Sequence, residues 1–255
     1  MKYLCSFYTP NFSSAARWFS LSASKKVSAD SIQRYTPRDL DSTFKMKFRK
    51  HLSVRKGAGL WCWKFFLIQK FLTESKPGDL MFYSDIAVLF VNDPFTILRP
   101  CLQQQGFVLF ENNGLEYQLT KKEVFSTLGL SPSGSEGLGR QVYGGNFFIE
   151  NCQKSKMFFN EAANLFSDFE LARDVEECEM AEQHQGFLFH RHDQSIISLL
   201  AKQKKLNVCS DIAQYGNLDR DFESDHYLID RSRRLPQILV HTRRSNDFSI
   251  GPFGL

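Results

Sequence analysis

Short apolar runs that alternate with segments of helical spacing are the feature that most constrains the fold of this chain. Residues 2–9 form the first apolar run, and residues 13–27 follow with small and apolar side chains at helical spacing. Residues 30–44 carry a second strand into a loop, and residues 60–74 fit a helix with a buried aromatic face. An order of strand, helix and strand predicts an α/β fold in which helices cover both faces of the sheet.

The same alternation continues through the rest of the chain. Residues 78–93 contain a buried strand, and the Ser- and Gly-rich residues 131–140 indicate a loop. The remaining predicted elements are a helix, a strand and a second helix within 94–129, a strand in 141–151, helices over 153–177 and 192–206, and late strands in 207–211 and 236–242. Because the chain contains no internal repeat and no linker long enough to divide it, we predict a single domain over residues 1–255.

Composition and charge argue against several classes of protein. The net charge of +4 is well below the dense basic character of a typical nucleic-acid-binding protein, so nucleic acid is not an expected partner. The six cysteines are scattered without a C-x-x-C pair, which argues against a zinc ribbon and a disulfide scaffold. No segment reaches the roughly 18 uninterrupted apolar residues of a membrane span, and Pro10 and Asn11 interrupt the apolar start, unlike a signal peptide. We therefore expect a cytoplasmic protein without a transmembrane segment, and leave open its association with a membrane surface.

A single aspartate interrupts the most apolar strand. Asp85 lies within "GDLMFYSDIAVLFVND", residues 78–93, and an ionised carboxylate is costly to bury unless it is paired. In open α/β sheets, ligands bind beyond the carboxyl ends of the strands. Asp85 fits such a site if its strand ends near Tyr83 and residues 86–91 lead away as a second, short strand. The alternative is an aspartate at a bulge or strand end that accepts hydrogen bonds from backbone donors.

Two other acidic pairs have the form D-x-D. Asp39 with Asp41 follows a proline in a polar stretch, and Asp219 with Asp221 lies among loop residues. Because neither pair follows an apolar strand, we interpret both as solvated loop carboxylates.

Three of the six histidines lie close together in the sequence, before a predicted helix. His190 and His192 are two residues apart, which suits a strand or a turn, and the absence of an evident further ligand disfavours a zinc site. Asp193 and Gln194 follow at the start of the helix, where a carboxylate and an amide can hold sugar hydroxyls. The alternative for Asp193 is an ordinary N-cap.

Glycines and a late basic segment are further candidates. Gly144 and Gly145 precede a strand, and two glycines allow a backbone to approach a ligand closely, although a tight turn explains them equally well. His241 ends a late apolar run and is followed by Arg243 and Arg244. An imidazole is a common ligand of transition metals and arginines suit a diphosphate, whereas an exposed basic tail is the alternative.

Six segments carry a resemblance to a known family. In order they are "YTPRDLDSTFKMKFRKHL", "GAGLWCWKFFLIQKFL", "GDLMFYSD", "YGGNFFIEN", "HRHDQSIISLL" and "ILVHTRR". Together they span about residues 3–244 and resemble small glycosyltransferase-like proteins of the nucleotide-diphospho-sugar transferase superfamily, found in bacterial surface-polysaccharide loci and large viruses. The resemblance implies a single GT-A-like (Rossmann-like) domain with a mixed central sheet flanked by helices. Residues 1–95 would be its nucleotide-sugar-binding half, and residues 96–255 its acceptor-binding half with a C-terminal metal and diphosphate segment.

The resemblance also implies ligands and site residues. The donor would be a UDP- or GDP-linked sugar, the acceptor a glycan or a lipid-linked molecule, and a divalent cation, Mn²⁺ or Mg²⁺, would bridge the donor diphosphate. Asp85 and His241 would bind this cation, and Asp193 and Gln194 would hold the transferred sugar as the catalytic pair. The implied donor-binding residues are Tyr8, Trp63, Lys64, Tyr83, Asp85 and Arg243. The implied residues on the sugar and acceptor side are Tyr143, Gly144, Gly145, Asn146 and His192.

Two positions depart from the family pattern. Phe65 replaces the proline that normally follows the Trp-Lys pair, and Ile86 and Ala87 replace the small residue and the glycine or acid that normally follow the aspartate. Asp85 is therefore not part of a D-x-D pair. If the metal site is absent for this reason, Arg243, Arg244 and Lys64 would neutralise the diphosphate in place of a cation.

Two functions of different classes follow from these patterns. The first is a glycosyltransferase of polysaccharide biosynthesis that moves a sugar from a nucleoside-diphosphate sugar to a glycan or lipid-linked acceptor. In an inverting enzyme of this kind, Asp193 is the candidate general base. The second is a catalytically degenerate nucleotide-sugar or glycan-binding protein, suggested by the missing second carboxylate after Asp85. Release of nucleoside diphosphate separates the two, because a binding protein does not turn over the donor.

Overall fold

Strands and helices alternate in the computed structural model, which describes residues 1–102, 105–215 and 235–242. The strands in these residues are β1 (Lys2–Phe7), β2 (Ser31–Tyr35), β3 (Leu80–Ser84), β4 (Val88–Phe90), β5 (Phe107–Leu115), β6 (Arg140–Val142), β7 (Asn146–Glu150), β8 (Val208–Cys209) and β9 (Leu239–His241). The α-helices are α1 (Ser13–Lys26), α2 (Ser42–Lys47), α3 (Arg49–Leu52), α4 (Gly57–Leu60), α5 (Trp63–Glu74), α6 (Pro94–Leu98), α7 (Glu116–Leu119), α8 (Lys122–Thr127), α9 (Ser135–Leu138), α10 (Gln153–Ser167), α11 (Phe169–Ala172) and α12 (Asp193–Gln203). Short 3-10 turns lie at Pro10–Phe12, Pro37–Asp39, Arg99–Cys101 and Glu177–Glu182. Within the described segments, no helix combines the length and the apolar character needed to cross a membrane.

The main sheet is mixed and has the strand order β2-β1-β3-β7-β5-β6, with β8 also paired to β5. β1 runs parallel to both β2 and β3, whereas β7 runs antiparallel to β3 and β5. Parallel neighbours need a crossover connection, and the segments that contain α1 and α5 provide the two crossovers between the parallel strands. The prediction of a mixed central sheet flanked by helices is confirmed.

Side chains of β3 alternate between two apolar cores on opposite faces of the sheet. Met81 and Tyr83 belong to the core that α5, α10 and α12 cover, and Leu80 and Phe82 belong to the core that α1 and α6 cover. All five residues of β3 are buried. A strand that is buried on both faces reads as a continuous apolar run, which explains the sequence of this segment.

The end of β3 lies directly before Asp85. The strand stops at Ser84, and the next apolar residues form β4 in a separate two-stranded sheet with β9, in which Val88 lies opposite His241. The structure therefore meets the condition that the strand ends near Tyr83 and that a second short strand leads away. Asp85 therefore lies at the carboxyl end of a central parallel strand.

Two of the differences between predicted and observed elements lie after residue 140. The strand expected within 141–151 is divided into β6 and β7, because the chain turns between them and each strand pairs with a different part of the sheet. The helix expected over 153–177 ends at Ser167. Asp168 then begins α11 as its N-cap, accepting a hydrogen bond from the backbone N–H of Glu170 over 2.9 Å.

Asp39 and Asp41 form local hydrogen bonds near the start of α2. Asp39 accepts hydrogen bonds from the backbone N–H and the hydroxyl of Thr36, and Asp41 caps α2 by accepting from the backbone N–H of Phe44. Their interpretation as loop carboxylates agrees with these contacts. The second D-x-D pair, at residues 219 and 221, lies outside the described residues.

Candidate functional site

Two adjoining cavities open at the carboxyl ends of β1 and β3. The large cavity, of about 520 Å³, extends from the end of β1 to the residues that follow β3. The small cavity, of about 240 Å³, lies against the first turn of α12. Trp61 and Asp85 line both cavities and therefore form the boundary between them. Asp85 thus lies where ligands bind in α/β sheets, beyond the end of a strand.

Most of the predicted site residues line one of these cavities. Those in the large cavity are Tyr8, Trp63 and Asp85. Those in the small cavity are Lys64, Asp85, Tyr143, Gly145, His192, Asp193 and Gln194. The structure therefore brings together residues that are far apart in the sequence, such as Lys64 and Asp193, which are separated by 129 positions.

Five predicted site residues are not among the described residues that line the cavities, and one of them, His241, is described separately below. Gly144 and Asn146 line neither cavity, and Arg243 lies outside the described residues. Asn146 is completely buried opposite Ser84 in the sheet, and its side-chain amide has no hydrogen-bond partner among the described residues. Tyr83 is buried behind the site and donates a hydrogen bond to the Asp85 carboxylate over 2.5 Å.

Lys64 lies between two carboxylates at the boundary of the cavities. Its Nζ is 2.8 Å from Oδ2 of Asp193 and 3.9 Å from Oδ1 of Asp85. The Lys64 and Asp193 side chains are 4% exposed each, whereas that of Asp85 is 34% exposed. The Asp85 carboxylate therefore lies beside the Tyr83 hydroxyl and the Lys64 ammonium. The alternative, in which it accepts hydrogen bonds from backbone donors, does not apply.

Burial and charge shift the pKa values in this cluster. Burial raises the pKa of the Asp193 carboxyl to about 6, although the neighbouring Lys64 opposes the rise. Burial alone would lower the pKa of Lys64, but the charges of Asp193 and Asp85 outweigh it and raise that pKa above its usual value. Burial, followed by the Asp85 charge, raises the pKa of Tyr83 well above its usual value. At neutral pH the Lys64 ammonium, the Asp193 carboxylate and the neutral Tyr83 phenol therefore lie together beside Asp85.

Gly144 joins the segment between β6 and β7 to the two helices that carry the site. Its carbonyl oxygen accepts a hydrogen bond from Lys64 Nζ over 2.7 Å, and its N–H donates to Oε1 of Gln194 over 3.0 Å. A Cβ atom at this position would lie 2.9 Å from the Cβ of Gln194. The close approach that glycine permits here is therefore to α12 rather than to a ligand.

The start of α12 places Asp193 in the small cavity. The N-cap is His192, whose φ of 51° and ψ of −117° are unusual for a residue with a side chain, and unusual backbone angles often occur at functional sites. Asp193 is the first residue of the helix, and its carboxylate pairs with Lys64. The alternative of Asp193 as an ordinary N-cap is therefore wrong.

The two neighbouring imidazoles are engaged with backbone carbonyls. His190 Nε2 is 2.9 Å from the carbonyl oxygen of Leu171, and His192 Nδ1 is 2.9 Å from that of Ala172. Burial lowers the pKa of His190 well below its usual value and that of His192 to about 4, so both rings are neutral at pH 7. These contacts fix the loop before α12 on α11.

A left-handed turn positions the tryptophan between the cavities. Residues 57–61 all have positive φ, from 50° at Ala58 to 102° at Gly59, and the turn includes α4. The left-handed conformation costs a residue with a side chain about 1–2 kcal/mol. The indole Nε1 of Trp63 donates to the Gly57 carbonyl over 2.9 Å and holds the turn in place. Trp61 ends the turn with its ring stacked on His192, at a centroid distance of 5.4 Å.

His241 lies near the other side of the small cavity. Its ring contacts Tyr143, a lining residue, edge to face at a centroid distance of 5.4 Å. In the part of the chain that the structure describes, no group of three or more His, Cys, Asp or Glu side chains could hold a metal ion. The predicted ligands Asp85 and His241 would therefore need oxygen ligands from a bound diphosphate or from water to complete a cation site.

Several cavity residues were not predicted from the sequence. Arg55 lines the large cavity, Lys56 the small one and Trp61 both. These residues lie within or directly before the segment "GAGLWCWKFFLIQKFL", so their proximity to Trp63 and Lys64 in the sequence was an available signal. The lining residues Phe189 and Arg191 precede Asp193 in the same way.

Comparisons with known proteins identify the fold. No family model and no curated protein matches the sequence. Among solved structures, the WbbM bifunctional glycosyltransferase matches 95% of this chain with a TM-score of 0.56 and 11% identity, and this chain spans 46% of the length of that chain. Mouse xyloside xylosyltransferase 1 matches with a TM-score of 0.49 and 11% identity, over 94% of this chain and 97% of its own. The galactosyltransferase LgtC, in complex with donor and acceptor sugar analogs, matches with a TM-score of 0.47 and 13% identity, over 96% and 87%.

The likeness to WbbM shows the fold of this chain. It is a GT-A-like fold, with the mixed sheet and flanking helices that the sequence predicts. An identity of 11% carries no information on individual site residues. The chemistry of the site therefore has to be argued from its own geometry.

Proposed function

We propose that this protein is a glycosyltransferase that moves a sugar from a UDP- or GDP-linked donor to a glycan or lipid-linked acceptor. The observation that carries the proposal is the buried Lys64, placed between Asp85 and Asp193 where two cavities meet. Buried charged groups with shifted pKa values in a cleft are typical of sites that act on polar ligands. The GT-A-like fold supports a nucleotide sugar as that ligand.

The large cavity suits the nucleoside part of the donor. Tyr8, Trp61 and Trp63 provide aromatic surface on which a base can stack, and Arg55 provides a positive charge for phosphate. Asp85 lies at its boundary with the small cavity, so the diphosphate would lie between the two cavities. The residues do not distinguish uracil from guanine.

The small cavity suits the transferred sugar and the acceptor. The carboxylate of Asp193 and the amide of Gln194 can hold sugar hydroxyls, while Lys64 balances the charge of Asp193. A carboxyl pKa of about 6 also suits a proton acceptor near neutral pH, which makes Asp193 the candidate general base if the reaction inverts the anomeric centre. The exposed Phe189 at this cavity adds apolar surface for an acceptor.

The charges of the site favour additional cations when a diphosphate binds. Asp85 and Asp193 outweigh Lys64 by one negative charge when all three are ionised. A divalent cation on Asp85 and His241 would stabilise the charge that develops on the leaving diphosphate. Carboxylate ligands suit Mg²⁺ and Mn²⁺ and imidazole suits transition metals, so this mixed pair favours Mn²⁺. Arg55, Lys56 and Arg243 are candidates to neutralise the same diphosphate.

A second candidate function is a nucleotide-sugar or glycan-binding protein without turnover. Its support is the position of Asp85, which ends its strand without a second carboxylate because Ala87 occupies the D-x-D position. Such a protein would bind the donor in the same cavities. It would release no nucleoside diphosphate.

Donor turnover tests the proposal. Purified protein is incubated with a panel of UDP- and GDP-sugars, with Mn²⁺, with Mg²⁺ and with a chelator, and release of nucleoside diphosphate is measured by a coupled assay. We expect turnover of one donor and a loss of about 100-fold or more in the Asp193→Asn variant, because the amide cannot accept a proton or balance Lys64. Binding of a donor without turnover under every condition would contradict the proposal and favour the binding protein.

A matched variant separates catalysis from folding. Asp93→Asn makes the same chemical change at the N-cap of α6, in a residue that lines neither cavity. Because asparagine is also a good N-cap, this variant is expected to retain turnover and stability. Equal activity of the two variants would remove Asp193 from the mechanism.

A further inference from the structure

A basic surface leads from the outside of the protein to both cavities. Residues 42–56 contain six Lys or Arg side chains and no Asp or Glu. The six residues, which we call the basic surface, are Lys45, Lys47, Arg49, Lys50, Arg55 and Lys56, and all are exposed. Such a density of one charge contrasts with a net charge of +4 for the whole chain.

The packing of α2 and α3 directs these charges outward. Phe44, Phe48 and His51 are buried beneath the two helices. Between the lysines, Met46 is 71% exposed. The two helices therefore present a basic outer face that carries one apolar side chain, Met46.

Few carboxylates neutralise the basic surface. Among the described residues, the only carboxylate within 4.0 Å of the six basic side chains is that of Asp174, which is 2.7 Å from Lys56. Asp168 and Glu170 line a hollow together with Lys47 and Lys50, but form no ion pair with them. Within the described part of the chain, most side chains of this surface therefore form no ion pair with a carboxylate.

The basic surface is continuous with the candidate site. Arg55 lines the large cavity and Lys56 lines the small cavity. Phe189, which lines the small cavity, is 45% exposed, and the preceding Leu188 is 57% exposed. Positive charge beside exposed apolar side chains is complementary to an anionic bilayer, whose headgroups are negative and whose interior is apolar.

We propose that the basic surface docks this protein on the anionic headgroups of a lipid bilayer. Docking by this surface would hold the small cavity close to the bilayer, where a lipid-linked acceptor is present. The position of the acceptor rests on the proposed function, whereas the docking itself does not. Clusters of four to eight basic residues are typical of surfaces that bind anionic lipid, and each residue contributes about 1 kcal/mol near the surface.

Vesicle binding tests the proposal with two variants of equal charge change. The first, Lys45→Glu with Lys47→Glu and Arg49→Glu, alters the basic surface at residues that line neither cavity. The control, Lys25→Glu with Lys26→Glu and Lys205→Glu, alters exposed lysines at the end of α1 and after α12. Co-sedimentation is measured with vesicles of phosphatidylcholine alone and of phosphatidylcholine with phosphatidylglycerol in equal parts.

We expect the wild-type protein to bind the anionic vesicles, more weakly as salt rises, and not the neutral ones. The first variant is expected to bind about 10-fold or more weakly, because three favourable contacts are replaced by repulsion. The control is expected to bind nearly as the wild type does. Equal losses in both variants, equal binding to neutral vesicles, or binding of RNA or DNA in place of vesicles would overturn the proposal.

Donor turnover without vesicles distinguishes this proposal from the proposed function. Both variants are expected to release nucleoside diphosphate at the wild-type rate, since neither alters a cavity residue. If the protein binds vesicles as predicted but does not turn over any donor, the docking proposal stands and the proposed function is overturned. If the protein turns over a donor but does not bind vesicles, the proposed function stands and the docking proposal is overturned.

Discussion

Lys64 determines the electrostatics of the candidate site. It is an ammonium group in contact with Asp193 and close to Asp85, and it also holds the backbone at Gly144. The sequence predicted these residues separately, Lys64 near the donor and Asp193 near the transferred sugar. The tertiary structure joins them in one buried cluster, so a change at Lys64 affects both sides of the site. Charged pairs of this kind are costly to break, because the remaining charge stays buried.

The pH dependence of turnover should depend on the pairing of Lys64 with Asp193. We expect turnover to rise with pH through about 6, where Asp193 loses its proton. Lys64→Met removes the positive charge that lowers this pKa, so the midpoint is expected to move to higher pH. Lys70→Met, at a partly exposed position of the same helix, should keep the wild-type midpoint. A pH profile that Lys64→Met leaves unchanged would contradict the pairing.

The same variant should show a pH-dependent loss of stability. At pH 7, Lys64→Met is expected to lower the free energy of unfolding by about 3 kcal/mol, because it leaves Asp193 buried without its partner. The raised pKa of Asp193 means that the folded state favours the protonated carboxyl. Asp193 therefore contributes most to stability at a pH below the ordinary carboxyl pKa. This contribution falls as the pH rises through the pKa of Asp193 in the folded state. Denaturant unfolding from pH 7 to pH 5 should show the deficit shrinking, and a constant deficit would argue against this origin.

At the scale of elements, the left-handed turn at residues 57–61 connects the basic surface to the site. The sequence predicts a helix from residue 60, whereas α5 begins at Trp63 after this turn. Helical periodicity does not reveal handedness, and the two glycines of "GAGLW" were the available signal. The turn places Trp61 between the two cavities and Trp63 on Phe7, with ring centroids 4.2 Å apart.

Substitution of Gly59 should test the role of the turn. Gly59 has a φ of 102°, and a Cβ there would lie 2.9 Å from Leu52 Cδ2 and 3.1 Å from its Cα. Gly59→Ala is expected to lower the free energy of unfolding by about 2–4 kcal/mol, since strain and overpacking add. Gly129→Ala is the control: its φ is 66° and nothing lies within 4 Å of the added Cβ, so a loss of about 1 kcal/mol is expected. Equal losses in a denaturant titration would show that packing beneath the turn is unimportant.

At the scale of the whole molecule, the strand order brings distant segments to one edge of the sheet. β1 and β3 are parallel neighbours, so the residues that follow each strand lie together and line the large cavity. β7 lies on the other side of β3, and the segment before it reaches the small cavity through Tyr143 and Gly145. The division of the chain at residue 95 into a donor half and an acceptor half stays a prediction. The site itself combines residues from both parts.

Ligand-induced stabilisation tests this arrangement in the intact protein. A ligand that binds the native state at 100 times its Kd adds about 2.7 kcal/mol, which corresponds to roughly 5–10 °C in Tm for a protein of this size. We expect UDP or GDP with Mn²⁺ to raise Tm in this range, and the matching nucleoside without phosphates to raise it much less. Asp85→Asn should reduce the shift if Asp85 faces the diphosphate or its cation. A shift that is the same for nucleoside and diphosphate would contradict that position.

The sequence by itself determined the class of fold, because apolar periodicity is a local property of the chain. It left open whether the strand ends before Asp85, and the structure decided this point. The sequence also indicated some of the residues that line the cavities, through segments that resemble a known family. Only the tertiary structure decided which of these residues meet. The contacts of Lys64 with Gly144 and Asp193 span 80 and 129 residues of sequence, and they depend on how α5 and α12 pack on the same face of the sheet. A periodic pattern specifies that a helix has a buried face, but it does not specify which partner that face will contact.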